Sequence, residues 1–258
     1  MNNTFEYTST SSGPLNLDLH PASGPVDPSL GTVMYIHGGG FAVGDRAMDG
    51  DRIRALAAHG LNVVSLDYRL APSARFPDQL DDIVAAITWV RDHLDVVGTT
   101  NPKIALWGAS AGAVLAALAA LSPDTDSAQV GAVVSWFGFS DIATSASRSP
   151  LEAAILPPGA EHNLLGVEDL ASVPDLVRRA SPLHHVRADA PPFLIAHGDR
   201  DHVIESSESV QLHEALTRAG SSSTLMILGG AGHEDPRFDS ADNIAVTAAF
   251  LRSHLAGN

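Results

Sequence analysis

Cysteine is absent from the 258 residues, which excludes disulfides, thiolate zinc sites and a cysteine nucleophile, while saying little about compartment. Long apolar runs are also missing. The longest strongly apolar stretch, 113–121, falls short of the roughly 20 residues that a bilayer requires. Basic residues are scarce: 15 Lys and Arg against 30 Asp and Glu leave a formal charge of -15. Such an excess repels nucleic acid and anionic membranes and counts against both as partners. It is compatible with neutral substrates without selecting one. The opening MNNTFEYTSTSSGP has neither a basic n-region nor an apolar h-region, so it does not read as a signal peptide and a cytoplasmic location is expected. No repeat, low-complexity tract or charge block interrupts the chain.

What is present is an ordinary globular composition, 45% hydrophobic and 17% charged, at a length that suits one α/β domain over 1–258 with a large core. Strand-like runs alternate with helical patterns, which predicts a mostly parallel central sheet with helices on both faces. Short runs at 5–8 and 15–19 read as antiparallel edge strands. Buried strands are expected at 32–36, 61–68, 103–107, 130–137, 192–197 and 224–228. Helices are expected at 78–94, where Leu80, Ile83, Val84, Ile87, Val90 and Leu94 recur at helical spacing, and at 111–121, 205–219 and 237–254. Gly220 suits the residue after a helix C-terminus. The stretch 138–191, with Pro150, Pro157, Pro158, Pro174 and Pro182, is irregular and reads as a short lid or cap excursion.

Three motifs carry chemistry. Gly108-Ala109-Ser110-Ala111-Gly112 fits G-x-S-x-G between a predicted strand and a predicted helix. A serine on so tight a turn needs small neighbours, and the turn aims the free N–H groups of the next helix at the reacting oxygen. His37-Gly38-Gly39-Gly40-Phe41 follows the first strong strand. Glycines let backbone N–H groups approach a developing oxyanion, and Gly39, Gly40 and Ala111 are the expected donors. The run lacks a following Lys-Ser/Thr and the G-x-G-x-x-G spacing, which argues against a nucleotide loop. His233, one of 12 histidines, ends a small-residue loop after the last strand, where a general base can reach over the strand ends. Among the others, His197 ends a strand and reads as structural, and the pair His184, His185 has no carboxylate cluster beside it to suggest a metal. The acid must follow a strand and precede the histidine. Asp199, Asp201 and Asp141 all meet that condition, and spacing does not separate them.

Together these pieces resemble the α/β-hydrolase superfamily, and more closely its hormone-sensitive-lipase-like and small feruloyl/acetyl-xylan-esterase-like branches. The matching segments are HGGGF at 37–41, DYRLAP at 67–72, FPDQLDD at 76–82, WGASAG at 107–112, ASPL at 180–183, HGDRD at 197–201 and GAGH at 230–233. The resemblance implies the α/β-hydrolase fold. It places the acid at Asp201, the last position of H-G-x-x-D, and the oxyanion donors at the second and third glycines of the HGGG run. The chain departs from the lipase-like elbow at Ala109 and Ala113, and its 31 residues before the oxyanion strand leave no room for that branch's N-terminal cap helices. Acyl preference therefore does not carry over.

The expected activity is carboxylic ester hydrolysis through an acyl-enzyme on Ser110, with His233 as base and Asp201 orienting it, and without metal or cofactor. The expected partner is a small-molecule ester, with the protein a monomer or homodimer. Phe41, Trp136 and residues of 138–191 are expected to wall the pocket. An amidase or arylformamidase would use the same triad. A catalytically silent, ligand-binding member of the fold is the alternative from another class.

Overall fold

The computed structural model describes residues 3–23, 27–122, 130–145 and 159–256. Its strands are β1 (Thr4–Thr10), β2 (Gly13–His20), β3 (Thr32–Ile36), β4 (Val63–Leu66), β5 (Ile104–Ala109), β6 (Val130–Trp136), β7 (Phe193–Gly198) and β8 (Ser223–Leu228). They form one sheet in the order β1-β2-β4-β3-β5-β6-β7-β8. β1 and β2 make an antiparallel hairpin at one edge, and β2 runs antiparallel to β4. From β4 to β8 every pairing is parallel, which requires a crossover between strands and explains the helical patterns that separate them. Every residue of β3, β4, β5 and β7 is buried, as expected of strands covered on both faces.

Period-2 alternation divides these strands between two cores. Met34, Ile36, Ile104 and Leu106 face one, where α2 (Asp78–Asp92), α4 (Ala111–Leu121) and α8 (Ser206–Ala219) pack. Val33, Tyr35, Ala105 and Trp107 face the other, against α1 (Gly50–Ala57) and α9 (Ala241–Leu255). All eleven residues of α4 are buried, so this helix is apolar all round rather than on one stripe.

The structure departs from the sequence reading at several places. Helix α2 stops at Asp92 and a separate turn, α3 (Leu94–Val97), follows. The His93 ring lies against Trp89 and its Nδ1 is 2.8 Å from the Trp89 carbonyl oxygen, while the His93 amide turns to Val90. The side chain thus takes the acceptor that the next helical turn would use. The expected helix at 237–254 splits into a 3-10 turn, Pro236–Asp239, and α9, because the Ser240 side chain caps the new start by accepting from the Asn243 amide. Helix α1 was not foreseen.

Among the described residues of the expected excursion lie α5 (Ile142–Ser145), α6 (Ala160–Leu165), α7 (Pro174–Arg179) and two 3-10 turns. Pro174 and Pro182 each open a helical turn, where a fixed φ is tolerated. Pro150, Pro157 and Pro158 lie outside the described residues. Among the described residues no helix is long and apolar enough to cross a membrane.

Candidate active site

Ser110 stands at the junction of β5 and α4 with φ 52° and ψ −119°, a region that side chains rarely adopt. The turn closes because both flanking glycines are in backbone contact. A Cβ on Gly108 would lie 2.2 Å from the Gly112 carbonyl oxygen, and one on Gly112 would lie 2.0 Å from that of Ile36. Ala113 fits its own crowded position because Gly138 faces it.

The loop after β8 brings His233 to this turn, and the loop after β7 brings Asp201. His233 Nε2 is 2.9 Å from Ser110 Oγ, and His233 Nδ1 is 2.7 Å from Asp201 Oδ2. The imidazole rests edge-on against Phe137, with ring centroids 5.0 Å apart. Asp201 Oδ1 accepts the amides of Val203 and Ile204 at 2.8 and 2.9 Å. Burial alone would raise the Asp201 pKa. Hydrogen bonds from His197 and His233 and from the Ile204 amide outweigh it and hold the carboxyl well below the ordinary carboxylate range.

The rival aspartates are engaged elsewhere. Asp199 Oδ1 accepts the Gly230 amide at 2.5 Å and so shapes the histidine loop. Asp141 accepts from Ala143 and Ser181 and lies 3.4 Å from His184 Nε2, within the excursion. His197 is buried, with Nδ1 2.7 Å from Ser209 Oγ, and Nε2 2.9 Å from the Ile204 carbonyl and 3.2 Å from Asp201 Oδ2. It braces the acid from behind. Among the described residues no group of three or more His, Asp or Glu is arranged to hold a metal ion.

Gly39, Gly40 and Ala111 border the same cavity as Ser110 and His233, and their N–H groups donate to no acceptor among the described residues. Gly39 needs to be glycine: its φ is +101° and a Cβ would meet the Val43 carbonyl oxygen at 2.1 Å. The loop is held from below by His37, which stacks on Tyr68 at 4.3 Å, while the Tyr68 hydroxyl donates to the His37 carbonyl at 3.0 Å. Burial lowers the His37 pKa, so this imidazole is a neutral packing element.

The cavity above these groups measures about 1040 Å³. Phe41 borders it, packed edge-on against Phe139 at 6.1 Å. Thr144 and Ala160 bring both described ends of the excursion to its rim. Trp136 does not line it, contrary to expectation. Strand alternation turns position 136 to the core of α1 and α9, where the fully buried ring packs on Trp107 at 5.0 Å, Phe238 at 5.6 Å and the Arg52 guanidinium at 5.2 Å.

Two groups escaped the sequence reading. One is the set of non-glycine residues with left-handed backbone: Phe41, Asp49, Ser110, Phe137 and Glu234. Four of them border the cavity and the fifth touches His233, so the strain is concentrated at the site. The other is an ion cluster around buried Arg52, which bonds Glu234, Asp239 and the Tyr35 hydroxyl. The pairing of position 52 with 234 across the chain leaves no local signal in the sequence.

Comparison with known proteins gives a consistent set of relatives. The BD-FAE family matches residues 17–216. Esterase LipC of Mycobacterium tuberculosis is 35% identical over 222 residues, spanning 81% of this chain and 54% of that protein. Acetyl esterase of Salmonella paratyphi B is 31% identical over 201 residues, spanning 74% of this chain and 61% of its own length. The chain thus matches little more than half the length of these curated relatives. Among solved structures, a truncated form of carbohydrate esterase from gut microbiota superposes with a TM-score of 0.84 at 26% identity, covering 98% of this chain and 96% of that one. Thermogutta terrifontis esterase 2 with propionate bound gives a TM-score of 0.78 at 24% identity, covering 99% and 96%; at that identity the likeness is one of fold.

Proposed function

Because the chain belongs to the BD-FAE family, we propose that it is a serine carboxylesterase acting on small to medium esters, with Ser110, His233 and Asp201 as its triad. The observation that carries this reading is the unbroken chain of hydrogen bonds, 2.9 Å from Ser110 to His233 and 2.7 Å from His233 to Asp201, beside three backbone N–H groups without acceptors among the described residues. The names of the relatives, esterase LipC and acetyl esterase, point the same way.

In the first step Ser110 Oγ attacks the ester carbonyl as His233 Nε2 takes its proton. Asp201 accepts the His233 Nδ1–H, holding the tautomer in which Nε2 is the base and stabilising the imidazolium that forms. The carbonyl oxygen becomes an oxyanion facing the N–H groups of Gly39, Gly40 and Ala111, fixed donors that need no reorganisation when the charge develops. His233 then protonates the leaving alcohol. Water, deprotonated by the same nitrogen, attacks the acyl-enzyme and releases the acid. The described residues act as one unit in this reading, with 138–145 and 159–191 contributing a small cap.

The test is a p-nitrophenyl ester series, acetate to dodecanoate, on the wild type and Ser110→Ala. A loss on the order of 10⁴–10⁶ in kcat for the variant is expected, and the preferred chain length sizes the acyl pocket. Equal and slow rates for both proteins on every ester would overturn the reading and direct the search to formanilides.

A further inference from the structure

The cavity is one-sided in charge. Asp49, Glu161, Glu205, Glu208 and Glu234 border it, and no Lys or Arg does among the described residues. Two of these acids have an identified internal use. Glu208 Oε2 accepts the Ser140 amide and hydroxyl and the Asp141 amide, and Asp49 Oδ2 accepts the Tyr35 hydroxyl.

Glu234 is different. Its Oε2 is bound by Arg52 Nη2 at 3.1 Å, while its Oε1 accepts no hydrogen bond among the described residues. The Arg52 side chain is only 5% exposed, whereas Glu234 is 39% exposed. Asp239, the Tyr35 hydroxyl and the Trp136 ring hold the guanidinium in place. A buried, fixed cation thus orients an accessible carboxylate whose second oxygen is uncommitted. The backbone at Glu234 is left-handed, φ 54°, a conformation kept only where its surroundings impose it.

The position of Oε1 gives it a use. A single point off Gly38 lies 3.5 Å from Glu234 Oε1 and 3.4 Å from Ser110 Cβ, so the free oxygen lies no more than about 7 Å from Ser110 Cβ. Glu234 also borders the cavity together with His233. His233 must protonate the leaving oxygen, so the alcohol part of the ester lies on the histidine side, and Glu234 follows His233 directly.

We propose that Glu234 is a specificity-determining residue for the alcohol part of the ester: its Oε1 meets a hydroxyl or a cationic nitrogen there, and the acidic wall disfavours alcohols that carry a carboxylate. This rests on the esterase reading above and adds the chemical class of the leaving group. An acceptor oxygen fixed in a partly desolvated wall rewards a donor or positive group, and like charge in the same place is repelled.

The test compares kcat/KM for acetates matched in shape: acetylcholine against 3,3-dimethylbutyl acetate, and glycerol 1-acetate against propyl acetate. Each ester is run on the wild type, Glu234→Gln and Ser110→Ala. Gln retains the size and an oxygen for Arg52 but removes the charge. In the wild type the charged or hydroxylated member of each pair is expected to be favoured. In Glu234→Gln the preference should fall by about three- to tenfold, the range of a partly exposed charge contact.

A structural role would slow both members of a pair alike and leave their ratio unmoved; that result overturns the proposal. Movement in the choline pair alone assigns the contact to charge, and in the glycerol pair alone to the hydroxyl. Either supports it. If the variant does not fold, the wild type decides: a charge contact requires rising salt to lower the acetylcholine to 3,3-dimethylbutyl acetate ratio, and a flat ratio together with no preference for glycerol 1-acetate over propyl acetate overturns the proposal. Hydrolysis that survives Ser110→Ala removes the esterase reading and this inference together, whereas Ser110-dependent hydrolysis with unchanged ratios removes only the inference.

Discussion

Asp201 divides its work between two oxygens, and the division makes substitutions there informative. Oδ2 accepts the proton of His233 Nδ1, and Oδ1 accepts two backbone amides. In Asp201→Asn the amides still favour the carbonyl oxygen, which turns the NH₂ group towards the imidazole. The ring must then carry its proton on Nε2 and can no longer accept from Ser110. A fall of about 10⁴ in kcat follows, as when this carboxylate is lost in related machinery. Asp199→Asn alters only a loop hydrogen bond and should cost less than about tenfold in kcat; steady-state kinetics on both variants separates two of the three aspartates that spacing left open.

The depressed pKa of Asp201 also has a sign in stability. Folding favours the ionised form, so this contribution is complete above the unfolded carboxylate pKa of about 3.9 and is lost as pH falls from there towards the lower folded value. The gap in melting temperature between wild type and Asp201→Asn should therefore narrow from pH 6 to pH 2. A gap that is constant over that range would place the stabilisation in packing rather than in the charge.

At the scale of elements, most of the site was legible because each chemical group ends a strand. A run of apolar residues broken by Gly-x-Ser-x-Gly, or by a small-residue loop and a histidine, is a local signal, and β5, β8 and α4 begin or end within a few residues of where the pattern placed them. What remained hidden depends on distant partners. Helix α1 is short and buries an arginine, Arg52, beside Ile53 and Leu56, so its apolar stripe is interrupted by a charge whose partners lie at 234 and 239. Trp136 was misplaced because alternation fixes which residues share a face, not which face the cavity lies beside.

Arg52 is also where elements are joined, since it bridges α1 to the turn that carries His233. Replacing it with Met keeps the volume and removes the bridge. Its carboxylate partners Glu234 and Asp239 are part-exposed and recover water, and the Tyr35 hydroxyl keeps Asp49 as acceptor, so a cost of about 2 kcal/mol is expected, below that of breaking a fully buried pair. Amide exchange across 229–239 should accelerate in the same variant. Urea unfolding and hydrogen exchange measure the two effects, and unaltered exchange would show that the loop is held without α1.

At the scale of the whole molecule, the sheet has two edges with different protection. The parallel strands from β4 to β8 carry the site, while the hairpin β1–β2 contributes no residue to the cavity. Yet β2 pairs along all of β4, from Leu17 opposite Leu66 to His20 opposite Val63, and its Leu17 is fully buried. Arg46 ties the hairpin to the segment that follows β4, bonding Asp18 at 3.0 Å and Asp67 at 2.8 Å. Tyr7 reinforces this by donating to the Asp67 carbonyl at 2.6 Å.

Without the hairpin, β4 becomes an edge strand in which all four residues are apolar or buried. A row of unpaired N–H and C=O groups on such a strand is a template for pairing with another chain. A fragment starting at residue 23 should therefore aggregate, seen as a rise in light scattering at concentrations where the full chain stays dispersed. Activity should fall with it, because Asp67, next to the Tyr68 that supports the glycine-rich loop, loses Tyr7 and Arg46 loses Asp18. If the fragment stayed dispersed and active, the parallel strands and their helices would be sufficient, and the hairpin would be a cover for the edge rather than a support for the site.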